Sequence, residues 1–244
     1  MGLLNGKTAM ITGAASGIGA AVATAFARSG CSRLVLVDLN ADMLAEKAWG
    51  IERETGTACV AVRADVTSEQ DVEQAFDSVK DTGLDILVNS AGICRIVSID
   101  DLQMKSWDLT MNVNLKGPFL FAREALRLMK TRKYGRIINI ASQAGKIGGL
   151  TAGADYSASK AGLLCLTKTL AKNSAEYNVT VNSVAPGLIA TEMTTTFGYD
   201  PETIPLKRVG TPDEVADVIL FLASDLSRYV TGACIDVNGG MTMW

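Results

Sequence analysis

Tyr156 and Lys160 stand four residues apart in the stretch Asp155-Tyr-Ser-Ala-Ser-Lys-Ala-Gly162. On a helix that spacing puts both side chains on one face, a phenol beside an ammonium. A free phenol titrates near ~10 and parts with its proton too reluctantly to act as a base near neutrality. A cation a few ångströms away favours the phenolate and lowers that value, which makes the phenol a usable acid/base. The same spacing also describes an ordinary snorkelling pair on a surface helix, so its meaning rests on the rest of the chain.

The chain has no histidine. Ser-His and Cys-His nucleophile schemes and the usual zinc ligand sets are thereby excluded, and no metal is expected. Acid/base work falls to Tyr, Lys, Asp, Glu or Cys. The cysteines, Cys31, Cys59, Cys94, Cys165 and Cys234, are odd in number and scattered, with no CxxC pair. Free thiols in a reducing compartment are expected, hence a cytoplasmic location. A net charge of −3 gives no basic footprint for nucleic acid. No apolar run approaches the ~20 residues that span a bilayer, and the first residues lack the regions of a signal peptide. With 244 residues, 48% hydrophobic and 20% charged, the composition suits one large globular core.

A second constellation lies near the N-terminus. The apolar run Thr8 to Ile11 ends in Thr12-Gly-Ala-Ala-Ser-Gly-Ile-Gly19, followed by a helical pattern (Ala21, Val22, Ala25, Phe26) that stops at Gly30. A second apolar run, Arg33 to Val37, is closed by Asp38. Glycines let a backbone approach a pyrophosphate, and the following helix offers free N–H groups and the positive end of its dipole. An acid about twenty residues further on can accept from both hydroxyls of a ribose. The spacing is GxxxGxG and not the commoner GxGxxG, so the flanking strand, helix and Asp38 carry the argument for a dinucleotide.

Strand and helix signals then alternate along the chain. Helical stretches are expected over Asp42 to Glu54, Ser68 to Lys80, Ser106 to Thr131 and Tyr156 to about Tyr177, with another opening at Thr211-Pro-Asp-Glu214. Between them fall apolar strands at Ala58 to Arg63, Asp85 to Asn89, Arg136 to Ala141, Thr180 to Ala185 and Ala233 to Val237. Continuous apolar strands separated by helices predict an α/β fold with a doubly wound parallel sheet and helices on both faces. Residues 1–244 form one domain, with no linker or repeat. The stretch that breaks the alternation, about 189–208, follows a strand end and carries Thr194 to Thr196 and Phe197-Gly-Tyr-Asp-Pro201. It is expected to be a substrate lid, with a plain surface loop as the alternative.

Taken in order, Thr12-Gly-x-x-x-Gly-x-Gly19, Asn89-Ser-Ala-Gly92, Asn114, Ser142, Tyr156-x-x-x-Lys160 and Pro186-Gly187 resemble the short-chain dehydrogenase/reductase family over essentially the whole chain. The ending Val237-Asn-Gly-Gly-Met241 is most similar to the branch of 3-oxoacyl-carrier-protein reductases. Ser90 departs from the second Asn that the family more often carries. The resemblance implies a single-domain Rossmann-type fold and NAD(H) or NADP(H) as cofactor. It implies Tyr156 as acid/base, Ser142 as the group orienting the substrate oxygen, and Lys160 as the cation that lowers the phenol's pKa and reaches the nicotinamide ribose. Asn114 would hold a water linking Lys160 to solvent; Asn112 competes for that role, but the pattern Asn-Leu-x-Gly selects Asn114. Gly13, Ser16, Gly17, Ile18 and Gly19 would meet the pyrophosphate, Asp38 and Leu39 the adenosine ribose, and Asp65 and Val66 the adenine. Asn89, Ala91 and Gly92 would face the adenosine side, and Pro186, Gly187, Ile189 and Thr191 the nicotinamide. Around the reacting carbon, Gln143, Ile147, Gly148, Leu188 and Met193 are expected, with Ile93 and Cys94 beside them.

Three functions are compatible with this pattern. The first is an NAD-dependent dehydrogenase or reductase acting on a small secondary alcohol or ketone. The second is a 3-oxoacyl-[acyl-carrier-protein] reductase, for which Arg132, Lys133 and Lys172 could supply a basic docking surface; solvated helix-end cations are the favoured reading of those three. The third is a dinucleotide-binding protein without turnover, which has no use for an activated phenol. Asp38 favours NAD(H), since it would repel a 2′-phosphate and neither Ala14-Ala15-Ser16 nor Leu39-Asn40 supplies a cation. A segment between Pro186 and Gly210 shorter than in the carrier-protein reductases favours the small substrate. The resemblance, and apolar residues on more than one face of two long helices (Phe119, Phe121, Leu126, Met129; Leu163, Leu164, Leu166, Leu170), point to a homotetramer.

Overall fold

The computed structural model describes residues 2–149, 152–195, 198 and 200–243. Every expected apolar run becomes a strand: β1 (Thr8–Thr12), β2 (Arg33–Asp38), β3 (Ala58–Arg63), β4 (Ile86–Asn89), β5 (Gly135–Ile140), β6 (Val179–Pro186) and β7 (Cys234–Val237). They form one parallel sheet in the order β3-β2-β1-β4-β5-β6-β7. The order reverses between β1 and β4, which pair from Ala9↔Ile86 to Thr12↔Asn89. The chain leaves these two strands toward opposite faces, so a crevice opens at their carboxyl ends.

Helices cover both faces: α1 (Gly17–Arg28), α2 (Ala41–Thr55), α3 (Glu69–Asp77), α4 (Met104–Met111), α5 (Gly117–Arg132), α6 (Ala144–Ile147), α7 (Ala154–Ser174) and α8 (Pro212–Ala223). Side chains alternate across a strand, and here each side meets a core. Ala9 and Ile11 of β1 pack with Val22 and Phe26 of α1 and Ile219 of α8. Met10 between them joins Phe121 of α5 and Leu170 of α7 on the other face. That double burial is why the strands read as unbroken apolar runs. Two asparagines within the sheet are linked to a helix: Asn89 donates to Asn139 on β5 at 2.8 Å, and Asn139 donates to Thr167 of α7 at 2.9 Å.

The expected helix over 106–131 is in fact three pieces. Between α4 and α5, Asn112–Lys116 forms a π-turn. Pro118 explains the interruption, because it has no N–H for the carbonyl of Asn114 four residues back and its ring crowds that carbonyl. The wider turn carries Asn114 inward to complete burial. The helix expected over 68–80 ends at Asp77, and α6 has no counterpart in the expectations.

The excursion between β6 and α8 is pinched at its base, where Ala190 donates to the Gly210 carbonyl and Gly210 to that of Leu188. Single 3-10 turns occupy Glu192–Thr194 and Pro201–Thr203. Thr196, Phe197 and Tyr199 of the expected lid lie outside the described residues. Among the described residues, no helix is long and apolar enough to cross a membrane, and no cluster of potential metal ligands occurs.

Candidate active site

A cleft of about 390 Å³ lies at the carboxyl ends of β1, β2, β4, β5 and β6. Its first half is built by backbone. Gly13 has φ +64°, and a Cβ there would lie 2.8 Å from the Ala91 backbone, so the turns after β1 and β4 sit back to back. Thr12 Oγ1 staples them by accepting from the N–H groups of Ser90 and Ala91, each at 3.1 Å. Helix α1 opens here with no side-chain cap from Ser16 and no acid in its first turn. By contrast, α8 has a full capping box between Thr211 and Glu214, with Asp213 beside it. The free N–H groups and positive dipole end of α1 therefore face the cleft and suit an anion such as a pyrophosphate.

Asp38 closes β2 at the cleft wall. Its Oδ2 accepts from Ala15 N–H and its Oδ1 from Asn40 N–H, both at 3.1 Å. The carboxylate is held in place, and each oxygen keeps a second lone pair for a hydroxyl donor. Further along, Asp65 Oδ1 accepts from the N–H and Oγ1 of Thr67 at 2.8 Å, which fixes the turn after β3.

The second half contains the hydroxyls and the cation. Ser142 lies just beyond β5, and its Oγ accepts from Ala144 N–H at 3.1 Å. With that lone pair occupied, the hydroxyl hydrogen is left to be donated elsewhere. Tyr156 and Lys160, on the first turns of α7, both line the cleft. The Lys160 ammonium is 5.7 Å from the Tyr156 ring centre and donates to the Ile140 carbonyl at 2.7 Å. Lys160 is only 5% exposed, and burial brings its pKa down to about 8. Nearby Cys94 is pushed up to about 11, also chiefly by burial, so its thiol stays protonated near neutrality.

Asn114 lies behind this group without lining the cleft. Its Oδ1 accepts from Ile93 N–H at 2.9 Å, and its Nδ2 donates to the Ile93 carbonyl at 2.9 Å and to Ser159 Oγ at 3.1 Å. Ser159 in turn donates to the carbonyl of Tyr156 at 2.7 Å. Through these bonds the π-turn ties the loop after β4 to the first turn of α7. A Cβ on Gly92 would lie 3.4 Å from Asn114 Oδ1 and 3.5 Å from Lys160 Nζ, so both side chains flank that glycine.

Most residues expected at a dinucleotide line this one cleft: Gly13, Ser16 to Gly19, Asp38, Leu39, Asp65, Val66, Ala91, Gly92, Tyr156, Lys160, Pro186, Gly187, Ile189 and Thr191. Asn89 does not, because its side chain is buried below in the strand-end network. Of the residues expected around a substrate, Met193 and Ile93 line the cleft. Gln143 does not; its amide is drawn toward the C-terminal turn, 3.6 Å from Met241 Sδ. Ile147 is solvent-exposed, Gly148 ends α6, and Leu188 faces a neighbouring cavity with Ile204 and Leu206. Sequence reasoning missed Ser90, Val113, Glu192 and Thr194 at the cleft. Thr191 and Thr194 form a capping box, a Thr-x-x-Thr signal after a strand end that points to a turn there.

A family model described as enoyl-(acyl carrier protein) reductase matches residues 13–242. The chain is 40% identical to a 3-oxoacyl-[acyl-carrier-protein] reductase of Aquifex aeolicus, covering 98% of both. A protein of the same name from Thermotoga maritima is also 40% identical, over 98% of this chain and 99% of the relative. The fold superposes on a short-chain type dehydrogenase/reductase of Mycobacterium marinum with a TM-score of 0.94 and 35% identity, covering 99% of this chain and 97% of the other. With that agreement over nearly its full length, the chain belongs to the short-chain dehydrogenase/reductase family, and is an oxidoreductase of that family.

Proposed function

We propose that this chain reduces the ketone of a 3-oxoacyl thioester to a secondary alcohol with a nicotinamide dinucleotide, and catalyses the reverse reaction when concentrations favour it. One observation carries the chemistry: Ser142, Tyr156 and Lys160 meet in a single cleft whose other half is a glycine turn facing an uncapped helix end. The substrate class is supported by the two relatives named above. When bound, the dinucleotide supplies or accepts the hydride. The glycine turn and α1 hold its pyrophosphate, and Asp38 accepts from its adenosine ribose. Asp38 favours NADH, since a 2′-phosphate would set like charges in contact.

Ser142 donates to the ketone oxygen and fixes its direction. Tyr156 delivers the proton to that oxygen as it becomes a hydroxyl. Lys160, charged below about 8, stabilises the phenolate left behind and hydrogen-bonds the ribose. Asn114 fixes the loop that carries Ile93. Its backbone carbonyl, which Pro118 cannot engage, is the natural acceptor for a water that returns a proton to Lys160.

A second reading, a small uncharged ketone or secondary alcohol, is favoured by the cations. Lys146, the basic side chain four residues past Ser142, is paired with Asp236. Arg132 and Lys133 precede β5, and Lys172 is in the last turn of α7, at the amino ends of the strands away from the cleft; Arg132 pairs there with Asp85 at 3.1 Å. The deciding measurement compares catalytic efficiency on an acetoacetyl thioester with that on simple cyclic and aliphatic ketones, with NADH and with NADPH. A tenfold advantage for the thioester supports the first reading, and the reverse supports the second.

A homotetramer is also proposed. Phe121, Leu126, Met129, Leu163 and Leu170 are buried within the protomer and leave nothing for a partner to cover. Phe119, Leu109 and Met104 are the apolar side chains left exposed on α4 and α5. A monodisperse monomer by light scattering at micromolar concentration would refute it.

A further inference from the structure

Helix α6 is one turn long, yet it is held on several sides. Gly145 lies directly on the backbone of α7, where a Cβ would come within 2.6 Å of the Lys160 carbonyl carbon and 2.7 Å of Ala161 N. At the start of the turn, Gln143 N–H donates to the Pro186 carbonyl at the end of β6 at 3.0 Å. On the β7 side, Lys146 Nζ lies 2.7 Å from Asp236 Oδ1 and 2.8 Å from Oδ2. These two side chains are only 14% and 22% exposed. Screening by water is weak at that depth, so the pair is a stronger tie than a surface ion pair. Within the turn, Ala144 N–H donates to Ser142 Oγ and so decides which lone pair of the hydroxyl is occupied.

We infer that Lys146 and Asp236 are positioning residues: their ion pair locks α6 between α7 and β7, and α6 in turn aims the Ser142 hydroxyl at the substrate oxygen. The chain of contacts runs from Asp236 through Lys146 to the α6 backbone, then through Ala144 N–H to Ser142 Oγ. Gly145 lets the same short helix rest on Lys160, so one element sets the distance between the hydroxyl and the cation. Removing the ion pair frees α6 to shift without touching the glycine turn or Asp38, which lie across the cleft. A displaced catalytic hydroxyl lowers turnover far more than it lowers cofactor affinity. The inference rests on the catalytic reading of Ser142 given above.

The test uses Lys146→Met, Asp236→Asn and the charge-reversed double variant Lys146→Asp with Asp236→Lys. Three quantities are measured: turnover of an acetoacetyl thioester and of the ketone panel with NADH, NADH affinity by fluorescence, and amide hydrogen exchange over residues 141–148. In each single variant kcat is expected to fall about tenfold with NADH affinity within about twofold, while exchange accelerates in α6 and not elsewhere. The double variant is expected to recover a substantial part of kcat. Full kcat in both single variants overturns the inference, as does a loss of kcat matched by an equal loss of NADH affinity and faster exchange across the whole chain. Should the unmodified protein turn over none of the probes, the catalytic reading falls. Exchange in α6 then decides the strut alone, and an unchanged rate in Lys146→Met refutes it.

Discussion

Lys160 Nζ donates to the Ile140 carbonyl at 2.7 Å, which ties the cation beside Tyr156 to the end of the strand that leads into Ser142. Hydroxyl, phenol and ammonium therefore share one framework of β5 and α7, within which α6 sets the direction of the Ser142 hydroxyl. The same bond gives the buried ammonium a polar partner inside the protein, where a charge without one is costly.

Tyr156→Phe is expected to lower turnover by at least a hundredfold while NADH affinity stays within about threefold, since only the proton-carrying hydroxyl is lost. Steady-state kinetics with a fluorescence titration of NADH checks both halves. A variant retaining a tenth of the activity would show that the proton comes from elsewhere.

Lys160 sets a pH dependence. Its folded pKa of about 8 is below the ordinary lysine value of 10.5. Between those values the unfolded chain holds a proton that the folded chain lacks, so stability rises with pH across that window. Below about 8 the ammonium is buried and charged, and the penalty is fully present, on the order of 3 kcal/mol. Lys160→Met is therefore expected to raise Tm near pH 7 and to flatten its rise between pH 8 and 10, while turnover and NADH affinity both fall. Thermal melts across that range check it; a lowered Tm at pH 7 would mean that the bond to Ile140 outweighs the burial.

Much of this was legible in the sequence because it depends on period and local chemistry. The apolar runs predicted the strands, and Gly13, Gly17 and Gly19 marked a turn in which Gly13 and Gly19 leave no room for a Cβ. What escaped was decided by tertiary contact. Gln143 follows Ser142 directly, yet its amide turns to Met241, almost a hundred residues later. Leu188 follows Gly187, yet it faces a neighbouring cavity with Ile204 and Leu206. Adjacency to a catalytic residue says nothing about direction when the backbone turns at that point. The π-turn was hidden for a different reason: Met111 to Gly117 lies inside a longer helical pattern, and Pro118 is the main hint of the break.

Asp38→Ser is expected to narrow the preference for NADH over NADPH by at least tenfold, mainly by improving NADPH. The serine removes the charge that opposes a 2′-phosphate. It also loses one of the two anchors to Ala15 and Asn40, so NADH affinity is expected to weaken as well. Catalytic efficiency with each dinucleotide on one substrate settles the point. An unchanged ratio would mean that the ribose end is not recognised at Asp38.

Asn114 offers the sharpest separation of structure from electrostatics. Asn114→Ala leaves the N–H and carbonyl of Ile93 without their side-chain partner, while Ser159 Oγ loses a donor but keeps the Tyr156 carbonyl. Buried groups orphaned in this way cost about 1–3 kcal/mol each, so denaturant unfolding should show a loss of a few kcal/mol together with reduced turnover. Asn114→Asp keeps the acceptor for Ile93 N–H but cannot donate when ionised, and it brings a carboxylate beside Gly92, across from Lys160. An opposite charge there favours the ammonium, so the Lys160 titration should move upward from about 8. Nitrogen-15 NMR of labelled lysine reads that shift directly in the Asn114→Asp protein. A titration that stays put in a folded variant would show that Asn114 acts on the cation only by holding the loop.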